Sequence, residues 1–200
     1  MTQIDENSLI VVSGPSGSGK DTVVRQLMAM DERIRFSVSC TTREIREGEQ
    51  EGVDYYYISE EEFKQRRESG DILEYNYYAG HYYGTPVSEL AKCLDGTCKI
   101  VLVIDVNGGK NVKKLFPGAL LIFLEPPSEE ELVRRLRHRG TETDDEIFAR
   151  LEIARSEMAE AEHYDRIVIN RDVEEAAREI RELIYSWADR QDSITDSEEQ

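Results

Sequence analysis

Four apolar runs stand out in an otherwise charged chain: Leu9–Val12, Ile100–Ile104, Leu120–Leu124 and Ile167–Ile169. Each is short and continuously apolar, which predicts strands of a parallel sheet buried on both faces. A shorter candidate strand lies at Phe36–Val38. Helical patterns separate several of these runs, so the expected class is α/β with helices on both sides of the sheet. Two helix starts carry capping boxes, Ser128-Glu129-Glu130-Glu131 and Thr143-Asp144-Asp145-Glu146, in which the first hydroxyl and the last carboxylate satisfy terminal N–H groups. Between them the arginine-rich run from Arg134 to Gly140 reads as a helix end followed by a hinge. Residues 39 to about 95 have a different texture. Eight of the ten tyrosines fall between Tyr55 and Tyr83, punctuated by Gly48, Gly52, Gly70, Gly80 and Gly84. That spacing predicts short antiparallel strands in an inserted subdomain. The polar, acidic stretch 188–200 reads as a disordered tail.

The first apolar run leads into Gly14-Pro15-Ser16-Gly17-Ser18-Gly19-Lys20, and a helical pattern follows from Thr22 to Met28. Strand, glycine loop and helix in this order form a phosphate-binding P-loop. The glycines let backbone N–H groups converge on an anion, the helix N-terminus adds a favourable dipole, and Lys20 supplies a point charge for the β- and γ-phosphates. The loop implies a nucleoside triphosphate. It departs from the usual pattern at one place: the Ser or Thr that reaches Mg²⁺ is replaced by Asp21, with Thr22 next. A carboxylate is a hard-oxygen ligand, so Asp21 is a candidate for the metal.

The net charge of −17 argues against an extended nucleic-acid surface. Arginine outnumbers lysine 18 to 7 and clusters at Arg43/Arg46 and Arg134–Arg139, which suits small phosphate ligands better than polymers. No apolar run approaches membrane-span length. The odd cysteine count, Cys40, Cys93 and Cys98 without metal-ligand spacing, reads as reduced thiols in a cytoplasmic protein.

A second constellation sits in the tyrosine-rich stretch. Arg43 and Arg46 flank a turn, and Gly52-Val53-Asp54-Tyr55, Glu74 and Gly80-His81-Tyr82-Tyr83-Gly84-Thr85-Pro86 follow. Arg43, Arg46 and tyrosine hydroxyls together could hold a phosphate, leaving Glu74 and Thr85 to read a base; each tyrosine alone reads as sheet packing.

The P-loop, the segment Ser39-Cys40-Thr41-Thr42-Arg43-Glu44-Ile45-Arg46-Glu47-Gly48-Glu49 continuing to Tyr55, Tyr82-Tyr83-Gly84-Thr85 and Arg139-Gly140-Thr141-Glu142 occur in the order and spacing of one family. From about Leu9 to Ile184 the chain resembles guanylate kinase. The resemblance implies a P-loop three-layer fold with a parallel sheet core (about 8–38, 96–124 and 160–187), an inserted mixed β GMP-binding subdomain (about 39–95) and a helical lid (about 125–159), within a domain spanning 1–190. It implies transfer of the γ-phosphoryl of ATP to GMP, and to dGMP, with Mg²⁺, in purine nucleotide metabolism, by a cytoplasmic monomer or homodimer that binds neither nucleic acid nor membrane. On the matching positions, Ser39, Arg43, Arg46, Tyr55 and Tyr83 hold the GMP phosphate, and Glu74 and Thr85 read guanine. Guanine offers N1–H and an exocyclic amine side by side to one carboxylate, whereas adenine would leave Glu74 unpaired. Lys20, Arg43, Arg139 and Arg150 are the expected catalytic charges; Arg134, Arg135 and Arg137 read as a solvated helix face. Asn170 is expected near adenine, and Asp105 near Mg²⁺ through water. The family pattern has two aspartates one residue apart at this strand end, and here Val103 stands at the first. A peptide-binding module of the same fold and a sugar-phosphate kinase are the rival readings. The intact Gly14, Gly17, Gly19 and Lys20 argue against the first, and Glu74 with the Tyr/Arg cluster against the second.

Overall fold

The computed structural model describes residues 5–78, 80–93, 97–137 and 144–198, without the side chains of 144–146 and 189–198. In chain order the elements are β1 (Leu9–Ser13), α1 (Lys20–Met30), β2 (Ile34–Phe36), β3 (Cys40–Thr41), β4 (Tyr56–Tyr57), α2 (Glu60–Glu68), β5 (Ile72–Tyr78) and β6 (His81–Pro86). They continue with α3 (Val87–Leu90), β7 (Lys99–Val103), α4 (Val106–Leu115), β8 (Leu120–Glu125), α5 (Glu129–Arg137), α6 (Asp144–Met158), β9 (Arg166–Ile169) and α7 (Val173–Glu198).

The apolar runs are the central strands of a five-stranded parallel sheet, ordered β2-β7-β1-β8-β9. Alternation along β1 shows why both faces must be apolar. Ile10 and Val12 pack with Val23, Leu27, Ile180 and Ile184 of α1 and α7, while Leu9 and Val11 pack with Val106 and Val112 of α4 and with Leu90 of α3. The result is the expected three-layer α/β core. The fifth strand falls at Ile34–Phe36, two residues before the apolar signal at Phe36–Val38. Val38 instead gives its N–H to the buried carboxylate of Glu89 at 2.9 Å, so its burial reflects a crossover and not a ladder.

The tyrosine-rich stretch folds as a second, mixed sheet ordered β4-β3-β6-β5, with β3 and β4 parallel and the other pairs antiparallel. Its small core is Cys40, Phe63 and Ile72, backed by Tyr56, Ile58 and Tyr82. The tyrosines divide by position. Tyr82 stacks on Phe63 at 5.0 Å, Tyr75 and Tyr77 are exposed beside it, and Tyr55, Tyr78 and Tyr83 turn toward the large sheet.

The last helix runs through Glu198, over a segment that lacks the Gly or Pro that would stop a helix. One sequence expectation is corrected here. The reduced-thiol reading holds for buried Cys40 but not for Cys93 and Cys98, which form a disulfide with Cα atoms 5.3 Å apart. Cys93 follows α3 and Cys98 precedes β7, and their Cα separation is within the range a disulfide spans.

Asp31 fastens α1 to α7. Its buried carboxylate accepts from Arg33 Nε (3.2 Å), Arg181 Nε (3.1 Å) and the Tyr185 hydroxyl (2.9 Å), and these partners, Arg33 foremost, hold it well below the usual carboxylate range. Asp31→Ala is expected to cost about 2 kcal/mol, discounted because both arginines are half-exposed, and to lower Tm by about 6 °C at pH 7. A depressed carboxylate stabilises above the ordinary carboxylate range and loses that contribution as pH falls below it. The deficit should therefore begin to narrow as pH drops below the ordinary carboxylate range and still be largely present at pH 3, as thermal melts from pH 7 to pH 3 will show.

Candidate active site

The glycine loop joins β1 to α1 across the top of the parallel sheet. Gly14 has φ 147°, and a Cβ there would lie 2.2 Å from the Leu124 carbonyl oxygen of β8. Only glycine lets the loop leave the sheet so tightly. Pro15 is buried and its carbonyl accepts from Ser18 N–H at 3.0 Å. Lys20 folds back over the loop, its Nζ donating to the carbonyls of Gly14 (2.6 Å) and Pro15 (3.0 Å). From α6, Arg150 donates to Ser16 Oγ at 2.5 Å. Asp21 and Thr22 occupy the exposed first turn of α1. Arg139, and the hinge expected at Gly140, lie outside the described residues.

Ser18 and Gly19 are held from behind. Asn170, at the end of β9 and only 2% exposed, donates Nδ2–H to the Ser18 carbonyl at 2.7 Å and would lie 2.6 Å from a Cβ on Gly19. Arg135 of α5 donates to the same Ser18 carbonyl (3.1 Å) and to that of Asn170 (3.0 Å). The solvated-face reading is thus corrected for Arg135: the helix aims it at the loop, while Arg134 pairs at the surface with Glu131. Leu132 and Leu136 of the same helix pack on Gly17.

The small sheet supplies the opposite wall. Arg43 is buried, and its two Nη groups grip both oxygens of Glu49 at 2.8 Å while its plane stacks near the rings of Tyr55 and Tyr57. The Arg43 guanidinium and the N–H of Arg46 (2.8 Å) hold Glu49 down at about 2. The Arg46 side chain is exposed. Tyr55 and Tyr83 meet edge to face at 6.0 Å, and burial pushes the Tyr55 hydroxyl up to about 12. Deeper in, Thr85 is fully buried and donates its hydroxyl to Glu74 Oε1 at 2.7 Å. Glu74 is 6% exposed, and burial pushes its carboxyl up to about 7 against the Thr85 hydrogen bond.

Both walls open into one cleft of about 500 Å³. Gly14, Ser16, Lys20 and Asp21 line it from the loop, and Ser39, Tyr55, Glu74 and Tyr83 from the small sheet. Asp105 reaches it from the end of β7, with Arg150 on the α6 side. Asp105 Oδ1 caps α4 through the N–H groups of Asn107 (2.8 Å) and Gly108 (2.9 Å). Among the described residues no three His, Cys, Asp or Glu side chains converge as a metal site. The hard oxygens of Asp21 and Asp105 suit a divalent ion, but most of its ligands would have to come from a bound triphosphate and water.

Sequence reasoning missed three lining or supporting groups. Glu49 stands inside the quoted motif yet shows its role only once its fork on Arg43 is seen. Glu157 follows Arg150 and Ile153 along one stripe of α6 into the cleft. Burial raises its pKa, and the charge of Lys20 and the Ser16 N–H draw it down; helical spacing from Arg150 could have found it. Gly108 leaves room for Glu74, whose Oε2 would sit 2.6 Å from a Cβ there.

Comparison with known proteins agrees with this geometry. A sequence profile described as guanylate kinase matches residues 6–187. A guanylate kinase of Prochlorococcus marinus (strain MIT 9312) is 43% identical over 182 residues, covering 91% of this chain and 99% of that protein. One from Fusobacterium nucleatum is 45% identical over 177 residues, covering 88% and 95%. The crystal structure of guanylate kinase from Anaplasma phagocytophilum superposes with a TM-score of 0.74 at 35% identity, covering 89% of this chain and 84% of that one. With its P-loop facing a buried Glu74–Thr85 pair, this chain belongs to the guanylate kinase family.

Proposed function

We propose that the chain transfers the γ-phosphoryl group of ATP to GMP, and to dGMP, giving ADP and GDP. The observation that carries this reading is one cleft in which Lys20 and the glycine loop face the buried Glu74–Thr85 pair. ATP lies on the loop, its phosphates cradled by the N–H groups of residues 14–20. Lys20, lifting from the Gly14 and Pro15 carbonyls, meets the β- and γ-oxygens. Asn170 and Arg135 keep Ser18 and Gly19 in place beneath them. GMP enters from the small sheet. Its phosphate meets Arg43, Arg46, Ser39, Tyr55 and Tyr83, and its guanine edge donates to Glu74 beside Thr85. Glu49 holds the Arg43 fork in a fixed plane, so little rotamer freedom is lost when the phosphate arrives.

No covalent intermediate is needed. The acceptor phosphate oxygen attacks the γ-phosphorus in line, and the bond to the β–γ bridging oxygen breaks. Lys20, Arg150 and Arg139 stabilise charge on the transferred group. Mg²⁺, held mainly by ATP, would add positive charge there, with Asp105 and Asp21 ordering its waters. Residues 39–95 are the proposed acceptor subdomain and 125–159 the lid, whose closure would exclude water that could hydrolyse ATP. A cytoplasmic monomer or homodimer fits this reading, and no described helix is long and apolar enough to cross a membrane.

Coupled detection of ADP with GMP, dGMP, AMP, CMP, UMP and a ribose phosphate tests it. Turnover confined to GMP and dGMP is expected, and turnover only with the sugar phosphate would overturn the acceptor assignment. Within this scheme, Arg43→Ala should raise KM for GMP about 100-fold and leave KM for ATP within about threefold. Equal losses for both nucleotides would remove Arg43 from the acceptor site.

A further inference from the structure

A second polar group stands on the Glu74 face of β5. Past the irregularity between Ile72 and Glu74, side chains alternate along this strand, with Glu74, Asn76 and Tyr78 lining the cleft and Tyr75 and Tyr77 packed beside Phe63 and Tyr82 on the other face. The Asn76 carboxamide is fixed at both ends. Its Oδ1 accepts from the Tyr77 N–H at 2.8 Å, and its Nδ2–H donates to Asp105 Oδ2. The other Asp105 oxygen caps α4 through Asn107 and Gly108. The small sheet therefore meets the first turn of α4 twice, at Asn76 on Asp105 and at Glu74 on Gly108. The junction lines the cleft, and its neighbours Val103 and Ile104 offer only apolar side chains.

We propose that Asn76 is a positioning residue for the acceptor nucleotide, holding Asp105 so that β5 stays registered on α4 and Glu74 stays aimed at the base. This rests on the cleft's being the GMP site. An amide suits the position because Asp105 needs a donor, and a carboxylate at 76 would add a third acid beside Asp105 and Glu74. Losing the donor leaves the α4 cap intact but unties β5 from it. The expected consequence is a loss specific to the acceptor, since neither Asn76 nor Asp105 hydrogen-bonds the glycine loop through its side chain in any bond described above.

The test is calorimetric titration of GMP, and separately of ATP, into wild type, Asn76→Asp, Asp105→Asn and the double variant, without metal. Asn76→Asp is expected to weaken GMP about tenfold, and Asp105→Asn, which leaves two amides facing each other, about threefold. The double variant exchanges donor and acceptor, keeps an asparagine able to cap α4, and should bind GMP within about twofold of wild type. ATP affinity should hold throughout. Single-variant losses that add in the double variant, or ATP affinity that falls with GMP affinity, would overturn the proposal while leaving the acceptor assignment intact. A wild-type protein that does not bind GMP would overturn the assignment and the proposal with it. If Asn76→Asp does not fold, Asn76→Ala serves: about fivefold weaker GMP binding supports the role and unchanged binding overturns it.

Discussion

Replacing Glu74 with glutamine is expected to raise KM for GMP by about 100-fold or more while moving KM for ATP less than about threefold. The magnitude follows from the geometry of the exchange. Guanine brings two donors to one edge, and a carboxylate accepts both; glutamine accepts one and confronts the other with an N–H. The same site gives the reaction a pH signature. Burial places the ligand-free Glu74 carboxyl at about 7, and guanine binding favours the ionised form. Below that pH, GMP must expel a proton to bind, so its KM should fall about tenfold per pH unit up to about 7 and level off above. The phosphate of GMP also ionises near pH ~6, but that contribution is common to wild type and variant. The difference between their profiles isolates Glu74. In the free protein the sign is opposite: a raised carboxyl stabilises in its protonated form, below the ordinary carboxylate range, and that contribution is lost as pH rises through about 7. Glu74→Gln should therefore melt higher than wild type at pH 8 while binding GMP worse, the mark of a residue kept for function at the expense of stability. A flat wild-type KM profile, or one the variant retains, would take guanine away from Glu74.

Much of this site could be read along the chain because its chemistry is concentrated in contiguous motifs. The P-loop needs glycine at fixed spacings, and the strand before it is apolar on both faces because it lies between α1 with α7 on one side and α3 with α4 on the other. Such constraints leave local marks. Groups whose partners come from far along the chain leave none. Asn76 meets Asp105 across 29 residues, and nothing beside either residue announces the pairing. Arg135 reaches Ser18 across 117, and in sequence it is one arginine among several on an acidic helix. The apolar signal at Phe36–Val38 misplaced β2 for a related reason. Val38 is buried by a long-range bond to Glu89, and burial alone cannot tell a ladder from a crossover.

These long-range contacts cluster where the two sheets meet. Asn76–Asp105 and Glu74 against Gly108 tie β5 to α4, Arg25–Asp54 ties α1 to the loop before β4 at 2.5 Å, and Glu89 joins the crossover at Val38 to the Tyr56 hydroxyl of β4. The two proposed nucleotide sites are built by local sequence, and their mutual placement is set by a few hydrogen bonds between distant residues. A reaction that depends on in-line alignment of two phosphates is sensitive to that placement, because small misalignments forfeit much of the gain from proximity.

On the donor side the largest effect is expected from Gly14→Ala, with ATP turnover falling about 1000-fold and stability by about 3 kcal/mol. Two constraints combine at Gly14: φ is 147°, and a Cβ would stand 2.2 Å from the Leu124 carbonyl oxygen. That oxygen belongs to the central sheet and cannot move aside, so the loop must move. Its displacement carries away the Gly14 carbonyl that receives Lys20 and the N–H groups that would face the phosphates. Gly17→Ala is the informative control. Gly17 also has positive φ, 92°, but its Cβ would meet Leu132 and Leu136 methyl groups at 3.0 and 3.1 Å, at the ends of side chains that can rotate. Its cost should stay near the backbone penalty alone, about 1 kcal/mol, with ATP affinity reduced about tenfold. Titration with a fluorescent ATP analogue and thermal melts of both variants decide the matter. If Gly14→Ala is no worse than Gly17→Ala, the loop is not braced on β8, and the lysine is placed by something other than its exit from the sheet.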